Sequence, residues 1–393
     1  GAEEKGVGMT VTSITRARAA QRAVAHRRSL NARFTVLLLV PIALLTVIGL
    51  GAIRSASSVV SLEKYGNGWT YFSKQAVWVG IGVLVAIIAS RTSYKIYKRA
   101  AVPLLIASIV GLIVVLEIGV VGGGSRRWIA VGPVTIQPSE FAKFAVVVFL
   151  ASVLERKERL LGDIWHLLVP LGASAGICGI LILLEPDLGT ALVVFGGAFA
   201  VAAVSAARVR HLLLAGAGGT LAAVLLAIAS PYRRQRILSF LDPFSDKLGS
   251  GWQVVQSYVA LGTGGAFGVG LGASRARWSY LPNAHTDFIF AIIGEETGFA
   301  GGAMVLLMFA IIGVVGYLIA MRAPDRFGRM LAVGIVSWIS LQALVNLGGV
   351  VGLLPITGMP LPFMSVGGSS MITAFGAIGV LVNIARNGVN AKA

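Results

Sequence analysis

FTVLLLVPIALLTVIGLGAI, residues 34–53, runs for twenty residues without a charge. That is about the length a helix needs to cross the ~30 Å hydrocarbon core of a bilayer. Nine more apolar stretches follow, near 75–90, 100–121, 141–154, 167–184, 191–207, 212–230, 288–320, 330–352 and 371–385. Several fall short of a full crossing, and small or polar neighbours extend them at the interfaces. Composition points the same way: 56% of the 393 residues are hydrophobic and 12% charged, where a soluble chain carries about 25% charged residues to face water. Fifty glycines and thirteen prolines suit membrane helices, which tolerate both better than soluble ones do. The expectation is an all-α integral membrane protein of about ten transmembrane helices.

An even number of crossings leaves both ends on one side. With the N-terminal tail inside, 21 Lys and Arg fall on the inner segments and 11 on the outer ones, a bias that predicts both termini cytoplasmic. The chain then divides into a basic tail over 1–33, a single membrane domain over 34–386 and a short tail over 387–393. Gly1–Gly8 precede Met9 and read as an appended or a natural extension. A large extracytoplasmic loop, 231–286, joins helices seven and eight.

The net charge of +17 does not imply nucleic acid, because the basic residues lie in short clusters between apolar stretches. Inside-positive topology and anionic lipids explain it more simply. The single cysteine, Cys178, excludes an intrachain disulfide. No HExxH and no GxxxxGK[ST] occurs, so neither a zinc protease site nor an ATP-binding loop is indicated.

Loop 231–286 is too long for a plain connection. Its stretch from Trp252 to Leu261 is amphipathic and reads as an interfacial helix. The glycines that follow (Gly262, Gly264, Gly265, Gly268, Gly270, Gly272) miss the dinucleotide pattern and read as close backbone packing or re-entrant turns. Ionisable groups in or beside membrane helices are functional candidates by default: Glu117, Glu140, Lys143, Glu185, Asp187, Asp287, Glu295 and Glu296. In the expected topology Glu140, Lys143, Glu185, Asp187 and Asp287 share the outer surface, which suggests one outward-facing cavity. Structural readings compete. Asp287 enters a helix from a polar loop and suits an N-cap, and Glu185-Pro186-Asp187 suits a helix start. Arg126-Arg127-Trp128 suits an interfacial anchor. Outer arginines also pair bidentately with phosphate, the alternative to plain solvated charge.

Three blocks carry a family resemblance. The first is Ser125-Arg126-Arg127-Trp128-Ile129 with Gly132-Pro133 and Gln137-Pro138-Ser139-Glu140-Phe141-Ala142-Lys143. The second is Tyr280-Leu281-Pro282 through His285-Thr286-Asp287-Phe288, with Gly294-Glu295-Glu296. The third is Asn346, Gly352-Leu353-Leu354-Pro355-Ile356-Thr357-Gly358 and Leu361-Pro362-Phe363-Met364-Ser365-Val366-Gly367-Gly368. Together they resemble the SEDS family (shape, elongation, division and sporulation proteins), in order and over nearly the whole chain after the tail. The wording is closest to the cell-division branch, with Asp242-Pro243-Phe244 as a further cue; a rod-shape relative also fits. Asn283, Val366 and Thr297 depart from residues that many members carry.

The resemblance implies a peptidoglycan glycosyltransferase that polymerises lipid II, the undecaprenyl-pyrophosphate disaccharide-pentapeptide, at the outer face of the bacterial cytoplasmic membrane during septal wall synthesis. A lipid II flippase and an elongation polymerase are the alternatives. Asp287 matches the family's essential aspartate and is the catalytic candidate, a carboxylate able to take a proton from a sugar hydroxyl. Arg127 and Lys143 are candidates for stabilising the leaving pyrophosphate, with Trp128 and Glu140 shaping the cavity. Gln253, Gln256, His285 and Ser365 complete the candidate substrate-binding set. No cofactor is specified, although a divalent cation, Mg or Mn, is compatible. The implied partners are a class B penicillin-binding protein transpeptidase and other divisome membrane proteins.

Overall fold

The computed structural model describes residues 3–122, 125–132, 134–229, 231–246, 249, 251–276, 281–282 and 284–387. Pro133, Arg277, Tyr280, Asn283 and the tail from 388 lie outside the described residues. The chain begins with α1 (Glu3–Tyr65), α2 (Thr70–Arg91), α3 (Lys95–Arg99) and α4 (Ala101–Ile118). Three short strands follow, β1 (Val120–Gly122), β2 (Ser125–Val131) and β3 (Val134–Ile136), then α5 (Pro138–Arg156). Next come α6 (Trp165–Leu171), a π turn (Gly172–Gly176), α7 (Ile177–Leu184), α8 (Leu188–Ala203) and α9 (Val209–Ala229). The rest is α10 (Pro231–Leu241), α11 (Trp252–Gly264), α12 (Ile289–Met321), α13 (Arg326–Val350) and α14 (Gly368–Asn387).

Most of each of the ten apolar stretches lies on a helix, with α6, the π turn and α7 forming one unit, while the end of 100–121 runs into β1. Among the described residues, eight helical segments are long and apolar enough to cross a membrane. α8 is shorter, at 16 residues, and α5 carries Glu140, Lys143, Glu155 and Arg156. A helical reading leaves out the antiparallel sheet β1-β2-β3. Its β-branched runs pair Ile129 with Ile136 and Val131 with Val134, and the tight turn between β2 and β3 uses Gly132 at φ +60°, a conformation that glycine adopts freely.

α13 and α14 form the centre of the bundle, each with 78% of its spanning window buried, while α9 has 6%. Small residues bring the central helices together, as is usual where lipid offers no hydrophobic drive between them. α14 lies so close to α2 that a Cβ on Gly379 would stand 2.4 Å from the Ala86 carbonyl oxygen.

The glycine run does what close packing requires. α12 breaks at Gly298, at φ 69° and ψ −165°, which frees backbone groups that must find partners away from water. The segment after α11 supplies them. Phe299 N donates to Gly265 O at 2.8 Å and Ala300 N to Ala266 O at 3.1 Å, while Val269 N and Gly270 N donate to Glu295 O and Glu296 O at 3.0 and 3.1 Å. A Cβ on Gly268 would stand 2.1 Å from Glu296 O, so no larger residue fits there. Glu295 and Glu296 face protein. Glu295 accepts from Ser274 Oγ, from Arg275 N at 3.0 Å and from Ala276 N at 3.3 Å. Glu296 accepts from Ser55 Oγ of α1.

Candidate active site

Asp287 stands in the loop that enters α12, and the helix starts one residue too late for it to be the cap. Phe288 holds the N-cap position, without a side-chain hydrogen bond. The capping alternative therefore belongs to Asp187, whose Oδ1 accepts from Thr190 N at 3.0 Å and whose Oδ2 accepts from Thr190 Oγ1 at 2.9 Å.

Two long-range brackets position the Asp287 loop. Asn346 of α13 donates from Nδ2 to Asp287 O at 2.8 Å and to Met359 O at 2.7 Å. Ser365 donates to Thr286 O at 2.6 Å and accepts from Leu361 N at 2.8 Å. Gln75 of α2 completes the second bracket, donating to Ser365 O at 3.0 Å and accepting from Gly367 N at 3.2 Å. Ser365 thus braces the loop from within, at 3% exposure. The His285 backbone oxygen accepts from Val366 N at 3.1 Å, and its ring packs on Tyr71 with centroids 4.8 Å apart. Burial, aided by the Lys64 charge, lowers the His285 pKa and favours the neutral ring.

Arginines face the aspartate from two elements. Arg127 on β2 donates from Nε to Glu185 O at 3.1 Å and from a terminal nitrogen to Pro186 O at 2.5 Å. It also lies 3.6 Å from Asp187 Oδ2. Arg236 on α10 donates to Ile356 O at 3.3 Å. Burial raises the Asp287 carboxyl, Arg236 and Arg127 pull it back, Asp187 raises it again, and it rests at about 6. Beside them Glu185 is 1% exposed, with no hydrogen-bond partner on either carboxylate oxygen among the described residues. Burial and then the Asp187 charge push it up to about 8 against the pull of Arg127.

Lys143 and Glu140 lie beneath this mouth. The ammonium meets Glu140 Oε2 at 2.8 Å and Gln342 Oε1 at 2.7 Å, and sits 5.6 Å from the centre of the Trp338 ring. Gln342 passes the connection upward by donating to Pro360 O at 2.9 Å. Lys143 therefore supports the 355–364 segment, and Arg236, one of several outer arginines in the sequence, stands with Arg127 at the mouth. Trp128 is half-buried on β2, paired opposite Val120. Gln253 and Gln256 are half-buried on α11, and among the described residues neither shows a hydrogen bond to the Asp287 group. In the sequence Asn346 stands out only within a resemblance block and Arg236 is one of a cluster of arginines, while Gln342 is one polar residue in a long apolar segment; the tertiary fold is what joins Asn346 to Asp287.

The mouth opens onto a cavity of about 880 Å³ between α6, α8 and α9. Leu168, Gly172, Phe195 and Gly219 line its apolar length, and Arg236 and Pro186 stand at its polar end. Among the described residues no group of three or more His, Cys, Asp or Glu could hold a metal ion.

The helical membrane bundle thus holds a long apolar cavity with Arg236 in its lining, and the Asp287 carboxyl feels the charges of Arg236 and Arg127. Residues 35–390 match the family model of the FtsW, RodA and SpoVE proteins, described as cell cycle proteins. The chain belongs to this family. It is 41% identical over 353 residues to stage V sporulation protein E of Bacillus subtilis, covering 89% of this chain and 96% of that one. It is 40% identical over 349 residues to the probable peptidoglycan glycosyltransferase FtsW of Coxiella burnetii, covering 87% and 93%. Among solved structures, a chain of a peptidoglycan synthase complex that couples polymerization and crosslinking superposes with a TM-score of 0.72 at 31% identity, covering 89% of this chain and 97% of that one. The rod shape determining protein RodA of Thermus thermophilus does so at 0.65 and 28%, covering 89% and 96%.

Proposed function

We propose that this chain is a peptidoglycan glycosyltransferase that polymerises lipid II at the outer face of the cytoplasmic membrane, working with a class B penicillin-binding protein in septal wall synthesis. The observation that carries the reading is the pairing of an apolar cavity lined by Arg236 with a carboxyl, Asp287, that feels the charges of Arg236 and Arg127. A polyprenyl pyrophosphate has the same polarity: a long hydrocarbon chain ending in a dianion and a sugar. The family's relatives named as glycosyltransferases and the neighbour from a synthase complex support the reaction class and the partner.

In this mechanism the lipid chain lies in the cavity and its pyrophosphate meets Arg127 and Arg236. The acceptor hydroxyl oxygen attacks the anomeric carbon of the donor. Its proton passes to the Asp287 carboxylate as the new O–C bond forms. The anomeric C–O bond breaks, its electron pair leaves with the pyrophosphate, and the guanidinium groups stabilise the growing charge. A carboxyl near pH 6 is deprotonated at neutral pH and still basic enough to accept that proton.

Asp287→Asn keeps the size of the side chain and removes the base. The full chain, reconstituted with its partner and given lipid II, should insert and bind its partner normally but polymerise at least ~10²-fold more slowly. Near-normal glycan synthesis by the folded variant would sink the assignment. The orientation has a test of its own. Ser245→Cys, in the segment between α10 and α11, should react with an impermeant thiol reagent in intact spheroplasts; labelling only after rupture would reverse it.

A further inference from the structure

Asn346 does more than hold the backbone at Asp287. Its two close partners are the carbonyl oxygens of Asp287 and Met359. Carbonyls only accept, so the atom facing them is Nδ2 and both its hydrogens are committed. The other amide atom, Oδ1, is buried and has no hydrogen-bond partner among the described residues, on a residue 5% exposed. A buried acceptor left open is unfavourable by about 1–3 kcal/mol. Such an atom persists where a donor arrives with a ligand.

The space beside it is small and specific. Asp287, Phe288, Val345, Asn346, Thr357 and Gly358 line a cavity of about 10 Å³, close to the least volume that holds one water-sized group and far too small for a sugar ring. Gly358 keeps it open on the Asp287 side. It adopts φ +76°, and a Cβ there would stand 3.5 Å from Asp287 Oδ2. Asp287 and Asn346 therefore line one slot, and the open amide oxygen of Asn346 can only accept.

A single hydroxyl cannot satisfy both groups, because its one hydrogen goes to Asp287 when it attacks. We infer that the acceptor sugar enters with two adjacent hydroxyls: the nucleophile donates to Asp287, and its vicinal neighbour donates to Asn346 Oδ1 in the slot. Asn346 is then a substrate-contacting specificity residue, which selects acceptors presenting a vicinal diol and fixes the rotation of the ring about the attacking oxygen. This assignment rests on the polymerase reading above.

The test compares polymerisation by the full chain with its partner on the parent lipid II acceptor and on acceptors whose vicinal hydroxyl is replaced by hydrogen or by fluorine. Wild type should lose at least ~10-fold in kcat/KM on both analogues. An acceptor lacking a remote primary hydroxyl should lose less. Asn346→Ala should be slower on the parent acceptor and nearly indifferent to the vicinal replacement, a loss of coupling that weakened folding alone would not produce. Wild type that tolerates the vicinal replacement, or Asn346→Ala that keeps full sensitivity to it, overturns the inference while the polymerase stands. The wild-type comparison decides the matter if the variant fails to insert. No polymerisation of the parent acceptor by wild type removes the polymerase reading and this inference together.

Discussion

The floor under Asp287 and the wall beside it are built on opposite principles. Below, Lys143, Glu140, Gln342 and Trp338 form a closed network in which the ammonium has a carboxylate, an amide oxygen and an aromatic face as partners. Beside it, α9 presents glycine and small residues to an open apolar cavity and is buried over only 6% of its spanning window. A buried charge network resists change because removing one partner leaves the other uncompensated. An apolar wall facing lipid has little to lose. The floor can hold the 355–364 segment to one geometry while the wall admits a long flexible chain.

Breaking the floor should therefore produce the largest effect, and it should appear in folding. Lys143→Met strands Glu140 and is expected to lower stability by about 3–5 kcal/mol, read as a drop in the melting temperature of the purified protein. Adding Glu140→Gln should restore much of it. A Lys143→Met protein as stable as wild type but inactive would show that the ammonium serves the substrate instead.

Arg236→Gln comes next, and it acts on the mouth. Losing one charge-assisted contact should reduce kcat/KM for lipid II by about 10- to 100-fold, equivalent to ~1.5–3 kcal/mol. The pH profile supplies the sign. Activity should fall as pH drops through about 6, where Asp287 takes a proton, and Arg236 holds that carboxyl down. Without the cation the acid limb should move to higher pH. An unshifted limb would mean that Asp287 does not titrate in the reaction.

The wall should give the smallest change. No atom lies within 4 Å of where a Cβ on Gly219 would stand, and the residue lines the cavity. Gly219→Phe should fold normally and raise the KM for the lipid-linked substrate by about 10-fold. An unaltered KM would place the hydrocarbon chain elsewhere.

The contrast also explains what could be read from the sequence. Long apolar stretches announce membrane helices because lipid imposes one length and one solvent on them. The glycine run after α11 was legible as close packing, since glycine spacing carries a backbone meaning. Strands 120–136 were not, because Val and Ile serve a strand and a membrane helix alike. Within the site, the Asp287 and Arg127 motifs stand out as charges at the edge of apolar segments. The same signal marks Lys143 and Glu140, and sequence cannot say that α5 turns these two inward beneath the mouth. Asn346 carries no charge, and its open oxygen exists only because two backbones from distant segments converge on its nitrogen.

The break in α12 sets a height. At about 1.5 Å per residue, the piece after Gly298, residues 299–321, measures roughly 35 Å, a close match to the ~30 Å hydrocarbon layer. The piece before it, residues 289–297, adds about 13 Å. Asp287 sits at the far end of that upper piece, so the glycine joint works as a spacer. In the proposed reaction that spacer would set the level of the carboxylate relative to the lipid phosphate, and lengthening or shortening the upper piece by one helical turn would move the base by about 5 Å.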